Sequence, residues 1–187
     1  DGNHKISNLI LSASKPMIVL GESFLNLKSS KYIFREIKKF LLENNKINND
    51  WNSLNILSCD AATVGNYDLK LINKDKNLLK DLKDHKFEIV YLVGQDNLNF
   101  EKKDEFVIYQ GSHGDKGAEL ADIILPGSAY TEQDGYFTNL EGKLQKAYKA
   151  SYPPGESKED WLIINEIAEF MNNRKLFNDK DELESSM

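Results

Sequence analysis

The chain has 187 residues, 40% hydrophobic and 29% charged, with mean hydropathy −0.54, net charge −6 and a pI near 5.2. That length supports one good core rather than two, and no apolar run approaches the length that spans a bilayer. The acidic balance opposes nucleic-acid binding, which gains affinity from a basic face that releases counterions. A single globular domain over residues 1–187 is expected, with any membrane contact indirect.

In chain order, Asn8–Leu11 is a short apolar start. Met17–Leu20, after Pro16 and before Gly21, has the form of a strand. Ser29 or Ser30 then caps a predicted helix on which Ile33, Ile37, Phe40 and Leu41 share one face. Leu54–Leu57 is a second strand candidate. Asn73 or Asp75 starts another helix with Leu78, Leu79 and Leu82 inward, and Glu88–Val93 is a strand closed by Gly94. Phe106–Tyr109 and Ile123–Leu125 are further strands, the last stopped by Pro126-Gly127. Tyr136–Thr138 and Leu144–Tyr148 flank Asn139–Gly142 and predict a hairpin. After Pro153-Pro154-Gly155, Ser157–Asp160 has the form of a capping box. Trp161, Ile164, Ala168 and Met171, with Ile163, Ile167 and Phe170 beside them, predict a helix with a wide buried stripe. Asn178-Asp179-Lys180 opens a last helix within a tail, 172–187, that is expected to be peripheral.

Short apolar strands separated by helices predict an α/β fold, with a mainly parallel sheet, helices on both faces and one hairpin. Ligands of such sheets sit at the carboxyl ends, where Gly21, Gly94, Gly111 and Gly127 fall. Strand termination explains each of those glycines better than a ligand does.

The segment Tyr109–Gln145 holds an ordered set of motifs: Ala121-Asp122-Ile123-Ile124-Leu125-Pro126, Glu132, Asp134-Gly135-Tyr136-Phe137-Thr138-Asn139 and Glu141-Gly142-Lys143-Leu144-Gln145. In this it resembles the molybdopterin oxidoreductase superfamily. Within that superfamily, YQGSHGDKGA (109–118) and YPPGESKEDWLII (152–164) resemble the family of large iron-sulfur subunits of respiratory complex I. The likeness extends more weakly to Lys15–Gly21 and Trp51–Leu57. Tyr136 stands where many relatives have Thr, and Lys143 where many have Arg, which keeps the charge and loses the planar fork.

The resemblance implies the carboxy-terminal part of a molybdopterin-oxidoreductase-like domain that holds no molybdenum cofactor. It implies a structural, non-redox role in NADH:ubiquinone oxidoreductase, beside other peripheral-arm subunits. The iron-sulfur clusters are expected in an amino-terminal region or a partner polypeptide. The expected location is the matrix side of the mitochondrial inner membrane, or the cytoplasmic side of a bacterial plasma membrane. Asp1 in place of Met favours processing, trimming or an upstream start. The frequent Asn, Lys and Ile fit an A/T-rich genome as well as a solvated surface. The rival from the same superfamily is a segment of an active molybdopterin-dependent enzyme such as a formate dehydrogenase. A free nucleotide-binding module is a third reading, which lacks its Gly-x-Gly-x-x-Gly.

The residues taken singly predict no catalytic, cofactor-binding or metal-binding side chain. Cys59 alone forms no internal disulfide and cannot supply four cluster thiolates. The loop Gly111–Gly117 invites a phosphate, yet Asp115 interrupts a Walker pattern and is better placed as a helix cap. His113 has no partner motif, and with His4 and His85 it forms no ligand spacing. Glu132, Asp134 and Glu141 are expected in turn and capping roles, and Ser112 and Ser128 lack the context of an activated nucleophile. The lone chain is expected to be poorly soluble or only marginally folded, because its apolar faces need a partner.

Overall fold

The computed structural model describes residues 4–58, 60–71, 77–98 and 100–187. Cys59 and the expected helix starts Asn73 and Asp75 lie outside the described residues. The chain divides into two compact units, Asp1–Leu69 with Phe137–Leu144, and Lys70–Tyr136 with Gln145–Met187.

In the first unit, α1 (Lys5–Ser12) is capped at its start by His4, whose Nδ1 accepts the Ile6 N–H at 3.2 Å. The Lys46 ammonium closes the other end, donating to the carbonyls of Leu11 at 2.8 Å and Ala13 at 2.7 Å, where a helix leaves acceptors unpaired. Strand β1 (Ile18–Gly21) runs parallel to β2 (Leu54–Leu57), with Ile18 opposite Leu54. Trp51 Nε1 donates to the Pro16 carbonyl at 2.8 Å and ties the approaches to the two strands together. Between the strands lie α2 (Glu22–Leu25) and α3 (Ser30–Glu43). The predicted stripe of α3 is present: Leu41 is fully buried, and Ile33, Ile37 and Phe40 are partly buried. Ser29 stands at the N-cap without a side-chain bond, and its backbone carbonyl accepts the Ile33 N–H instead. After β2 comes α4 (Thr63–Asp68).

The second unit holds α5 (Leu78–Lys83), β3 (Ile89–Val93), β4 (Phe106–Gly111), α6 (Lys116–Leu120) and β5 (Ile123–Pro126). Its three strands are parallel in the order β3–β4–β5. The expected sheet is therefore two separate parallel sheets among the described residues, one in each unit. Leu82, Leu92, Phe100, Val107 and Tyr109 form the core, and Phe87, Leu98, Ala118 and Leu120 pack on it. Of the three leucines expected inward on α5, only Leu82 is buried, and Leu78 and Leu79 are exposed. A helix of six residues is about 9 Å long, so one turn of it leans on the sheet. Asp122 fixes β5 on β4: its N–H donates to the Val107 carbonyl and its Oδ2 accepts the Val107 N–H, both at 2.8 Å.

The predicted hairpin pairs β6 (Gly135–Thr138) with β7 (Leu144–Ala147). Asn139 Oδ1 accepts the N–H groups of Glu141 at 3.0 Å and Lys143 at 2.9 Å, and Gly142 takes φ 80°, a region that glycine enters without strain.

Helix α7 (Asp160–Asn172) starts later than the capping-box pattern predicts. The Ser157 hydroxyl donates to the Pro154 carbonyl at 2.7 Å, Lys158 bridges to Gly127, and Glu159 becomes the N-cap without a side-chain capping bond. The wide stripe is also narrower than expected. Ile163 is buried and Trp161, Ile167 and Ala168 are partly so, while Ile164, Met171 and, at 91% exposure, Phe170 face outward. The buried partner of Ile163 on this helix is Asn165. Its Oδ1 accepts the N–H groups of Leu176 at 2.7 Å and Phe177 at 3.1 Å, and its Nδ2 donates to the Phe177 carbonyl at 2.9 Å. Asn165→Ala leaves those backbone groups unpaired and is expected to cost about 1–3 kcal/mol. Limited proteolysis checks it, with cleavage at Arg174-Lys175 accelerated in the variant. In α8 (Lys180–Ser186), Asp179 accepts the Glu182 N–H at 2.9 Å, as the sequence predicts, and Glu182 reaches back to the Asn178 N–H at 2.7 Å.

Candidate functional site at the carboxyl ends of the second sheet

The carboxyl ends of β3, β4 and β5 bring together most of the residues that the sequence singles out. Adjacent residues of β4 point to opposite faces. Tyr109 is 1% exposed and turns into the core, and Gln110, fully buried, turns to the other face.

The Tyr109 hydroxyl donates within reach of Asp96 Oδ2 at 3.0 Å and the His113 carbonyl at 2.9 Å, pinning the Gly111–Gly117 loop from beneath. Burial, then the hydrogen bond to Asp96 and the charges of Asp96 and Asp115, push its pKa up to about 12. Among the described residues His113 is brought to no acid; its Nδ1 lies 2.9 Å from the exposed Ser112 hydroxyl. Asp115 stands at the N-cap of α6, but its side chain accepts no amide there. The expected cap is thus one of position only.

On the other face, Gln110 Nε2 donates to Asp160 Oδ1 at 2.7 Å, and Gln133 Nε2 donates to Asp160 Oδ2 at 3.2 Å. The Tyr91 hydroxyl closes on Gln110 Oε1, and burial followed by the Asp160 charge raises the Tyr91 pKa. Residues on β3, β4, the segment before the hairpin and α7 are thereby joined through one carboxylate. Ser128 is buried nearby in sequence, and its Oγ has no partner among the described residues.

The other acids are occupied by structure. Glu132 Oε2 accepts the Ala129 N–H at 2.9 Å, and Asp134 Oδ1 accepts the Lys149 N–H at 2.8 Å. That backbone bond, then the charge of Lys180, holds Asp134 below the usual carboxylate range against its burial. Glu141 is exposed in the hairpin turn. Sequence reasoning missed Glu159, which is buried and accepts from Lys180 Nζ at 2.7 Å, Trp161 Nε1 at 3.1 Å and Lys149 Nζ at 3.3 Å. Burial pushes its pKa up, but Lys180, Trp161 and Lys149 together bring it below the usual value. It also missed Glu105, buried just before β4 with His85 Nδ1 at 2.6 Å and the Lys103 N–H at 2.7 Å.

Glu105 yields a pH prediction. The Lys103 and Glu105 N–H groups and then His85 hold its carboxyl down to about 2, from an ordinary 4.5. A folded-state pKa below the unfolded one adds stability that is complete above 4.5 and is lost as pH falls through about 2. Urea midpoints measured from pH 6 to pH 2 should fall across that window, and Glu105→Gln should flatten the fall. An unchanged profile in the variant would contradict the assignment.

A pterin dinucleotide at this edge would need open backbone amides and room beside the glycines. At Gly111, Gly117 and Gly127 the chain itself packs against the glycine. A Cβ on Gly117 would lie 2.7 Å from the Tyr109 ring and 2.8 Å from the Gln95 carbonyl, and one on Gly111 would strike the Tyr109 hydroxyl. At Gly127 it would meet Asp160 Oδ1 at 2.9 Å. The Asp96 and Asp115 carboxylates beside Tyr109 repel a pyrophosphate. Gly111, Gly117 and Gly127 serve close internal packing, whereas Gly94 and Gly114 stand in open space; the two carboxylates are what disfavours such a group here.

Residues 1–170 match the family model described as molybdopterin oxidoreductase. Among curated proteins, the chain is similar to the NADH-ubiquinone oxidoreductase 75 kDa subunit of Reclinomonas americana, 36% identical over 93% of this chain and 26% of that protein. It is also similar to the NADH-ubiquinone oxidoreductase 78 kDa mitochondrial subunit of Candida albicans, 39% identical over 89% of this chain and 23% of that protein. A subunit of the NADH-quinone oxidoreductase of Rickettsia bellii is 40% identical over 98% of this chain and 26% of its own length. The chain spans about a quarter of the length of these curated relatives.

Proposed function

The chain belongs to the molybdopterin oxidoreductase family, and from that premise we propose that it is a structural, non-redox part of the large iron-sulfur subunit of an NADH:quinone oxidoreductase, respiratory complex I. It supports the electron path from NADH to ubiquinone in the peripheral arm and carries no redox group of its own. The similarity to the 75 kDa and 78 kDa subunits and to their bacterial counterpart supports the assignment to the complex. The observation that supports the non-redox part is the pair of carboxylates, Asp96 and Asp115, beside Tyr109 under the glycine loop, which would repel the phosphates of a dinucleotide.

The partners are the other peripheral-arm subunits and, above all, the iron-sulfur-bearing part of the same subunit. Its place is the matrix side of the mitochondrial inner membrane, or the cytoplasmic face in a bacterium. No helix among the described residues is long and apolar enough to cross a membrane.

Native purification through a tag on the chain tests this. On a native gel the chain should comigrate with NADH-oxidising activity, and mass spectrometry should recover iron-sulfur subunits with it. Migration alone, near its own 21.4 kDa, would refute the proposal.

A further inference from the structure

We propose that the exposed face of α3 is a docking surface for an acidic segment of a neighbouring subunit, one that presents an apolar side chain flanked by carboxylates. This deepens the subunit reading and rests on it. At about 100° per residue, Lys38, Lys31, Arg35 and Lys39 fall within an arc of about 100° on the helix, and Leu42 lies among them. Tyr32 marks one margin of the arc, and Glu36 and Glu43 lie beyond it. All of these residues are exposed, Tyr32 at 60% and Leu42 at 50%. Cations with no acid between them thus surround one apolar side chain, in a chain whose net charge is −6.

The helix itself gains nothing from this arrangement. Lys31 stands in the first turn, where the dipole favours an acid, and the first turn holds none. Lys31 and Arg35, like Arg35 and Lys39, are like charges at i and i+4, which repel. Arg35 reaches Glu36 at 3.6 Å and Lys39 reaches Glu43 at 3.8 Å, long and exposed pairs that neutralise little. Lys31 and Lys38 have no carboxylate within ion-pair distance among the described residues. The charge of the arc therefore acts outward.

The same geometry selects the occupant. A helix that docks on a membrane lays its apolar face in the lipid, but the apolar face of α3, with Ile33, Ile37, Phe40 and Leu41, is turned into its own unit. Nucleic acid would be repelled by the rest of an acidic chain. A second copy paired symmetrically would set the same cations against each other. A face packed inside one domain is apolar, whereas surfaces that meet another polypeptide use Tyr and Arg as anchors. Tyr32 and Arg35 form such a pair, with the guanidinium carbon 5.8 Å from the ring centre. Carboxylates on the partner match the cations, and an apolar side chain on it covers Leu42.

The test uses the native assembly, with the photoreactive residue p-benzoylphenylalanine in place of Tyr32. Irradiation is expected to crosslink it to a peptide of another subunit in which acids flank an apolar residue. Lys31→Glu with Arg35→Glu is expected to lower the yield of that crosslink at least ~10-fold, through repulsion of the partner's carboxylates. Both positions are exposed, and an acid at position 31 suits the helix dipole, so this variant keeps its fold. Lys31→Arg, which keeps the charge, is expected to leave the yield unchanged. A crosslink to this chain, to the rest of its own subunit, to a second copy, to lipid or to a peptide without acids overturns the docking face. So does the lack of any crosslink, or a yield indifferent to the charge reversal. In those cases comigration on the native gel leaves the subunit reading standing, whereas a chain that migrates alone overturns both.

Discussion

Tyr109→Ala is expected to abolish the cooperative urea transition of the chain and to make its second unit protease-sensitive within minutes. Removing a buried aromatic side chain costs about 3–5 kcal/mol, through lost transfer energy and the cavity left behind. Here the ring also fills the space beside Gly111 and Gly117, and its hydroxyl holds Asp96 and the His113 carbonyl. The variant therefore loses packing and leaves a carboxylate without its donor. Domains of this size have stabilities of about 5–15 kcal/mol. This chain also exposes Ile89, Phe106, Phe170 and Met171, so it is expected near the bottom of that range when isolated. Tyr109→Phe separates the contributions: it keeps the ring and loses only the hydroxyl, at about 1–3 kcal/mol. Circular dichroism and urea titration would show a shifted but cooperative transition for Phe and none for Ala. A parent-like transition in the alanine variant would remove Tyr109 from its central place.

Glu159→Ala is expected to cost about 2–4 kcal/mol, somewhat less than a fully buried pair because Lys149 and Lys180 retain partial contact with water. Glu159 links the segment after β7, the start of α7 and the start of α8, through Lys149, Trp161 and Lys180. Truncation leaves two ammonium groups and an indole N–H facing a space without an acceptor. Lys180 also reaches Asp134 at 3.5 Å, so it is not wholly released. The readout is hydrogen exchange of α8, which should rise sharply in the variant. Glu159→Gln keeps the shape and two polar atoms, and should recover part of the loss. Equal exchange in all three proteins would show that the cluster is screened by solvent and holds nothing.

The strands were legible because each is a short, largely apolar run, all but Leu54–Leu57 closed by Gly or Pro, and Met17–Leu20, Leu54–Leu57, Glu88–Val93, Phe106–Tyr109 and Ile123–Leu125 all lie within a few residues of the observed elements. The hairpin was legible from Asn139 and Gly142, whose turn chemistry is local. Harder were features set by distant partners. Ser157 and Asp160 have capping-box spacing, but Pro154 takes the Ser157 hydroxyl and Gln110 and Gln133 donate to Asp160. Asn165 interrupts an apolar stripe, and no pattern announces that residues 176 and 177 fold back to it. Local sequence explains Gly111 as a strand end and Gly117 as the end of a loop, whereas both also pack against the Tyr109 ring, which no local pattern announces. Glu159 carried no signal at all, since its lysines stand 10 and 21 residues away. The absence of a paired acid, an activated serine or a ligand-spaced histidine was a reading of local sequence. The geometry places Glu132, Asp134 and His113 in backbone and loop contacts.

The central claim is that this member of a pterin-binding family braces an electron-transfer assembly without holding the pterin metal. Elemental analysis of the natively purified assembly tests it most directly. Molybdenum and tungsten should each be far below one atom per copy of this chain, while iron is recovered with the cluster-bearing partners. One molybdenum or tungsten atom per chain, retained through purification, would contradict the account.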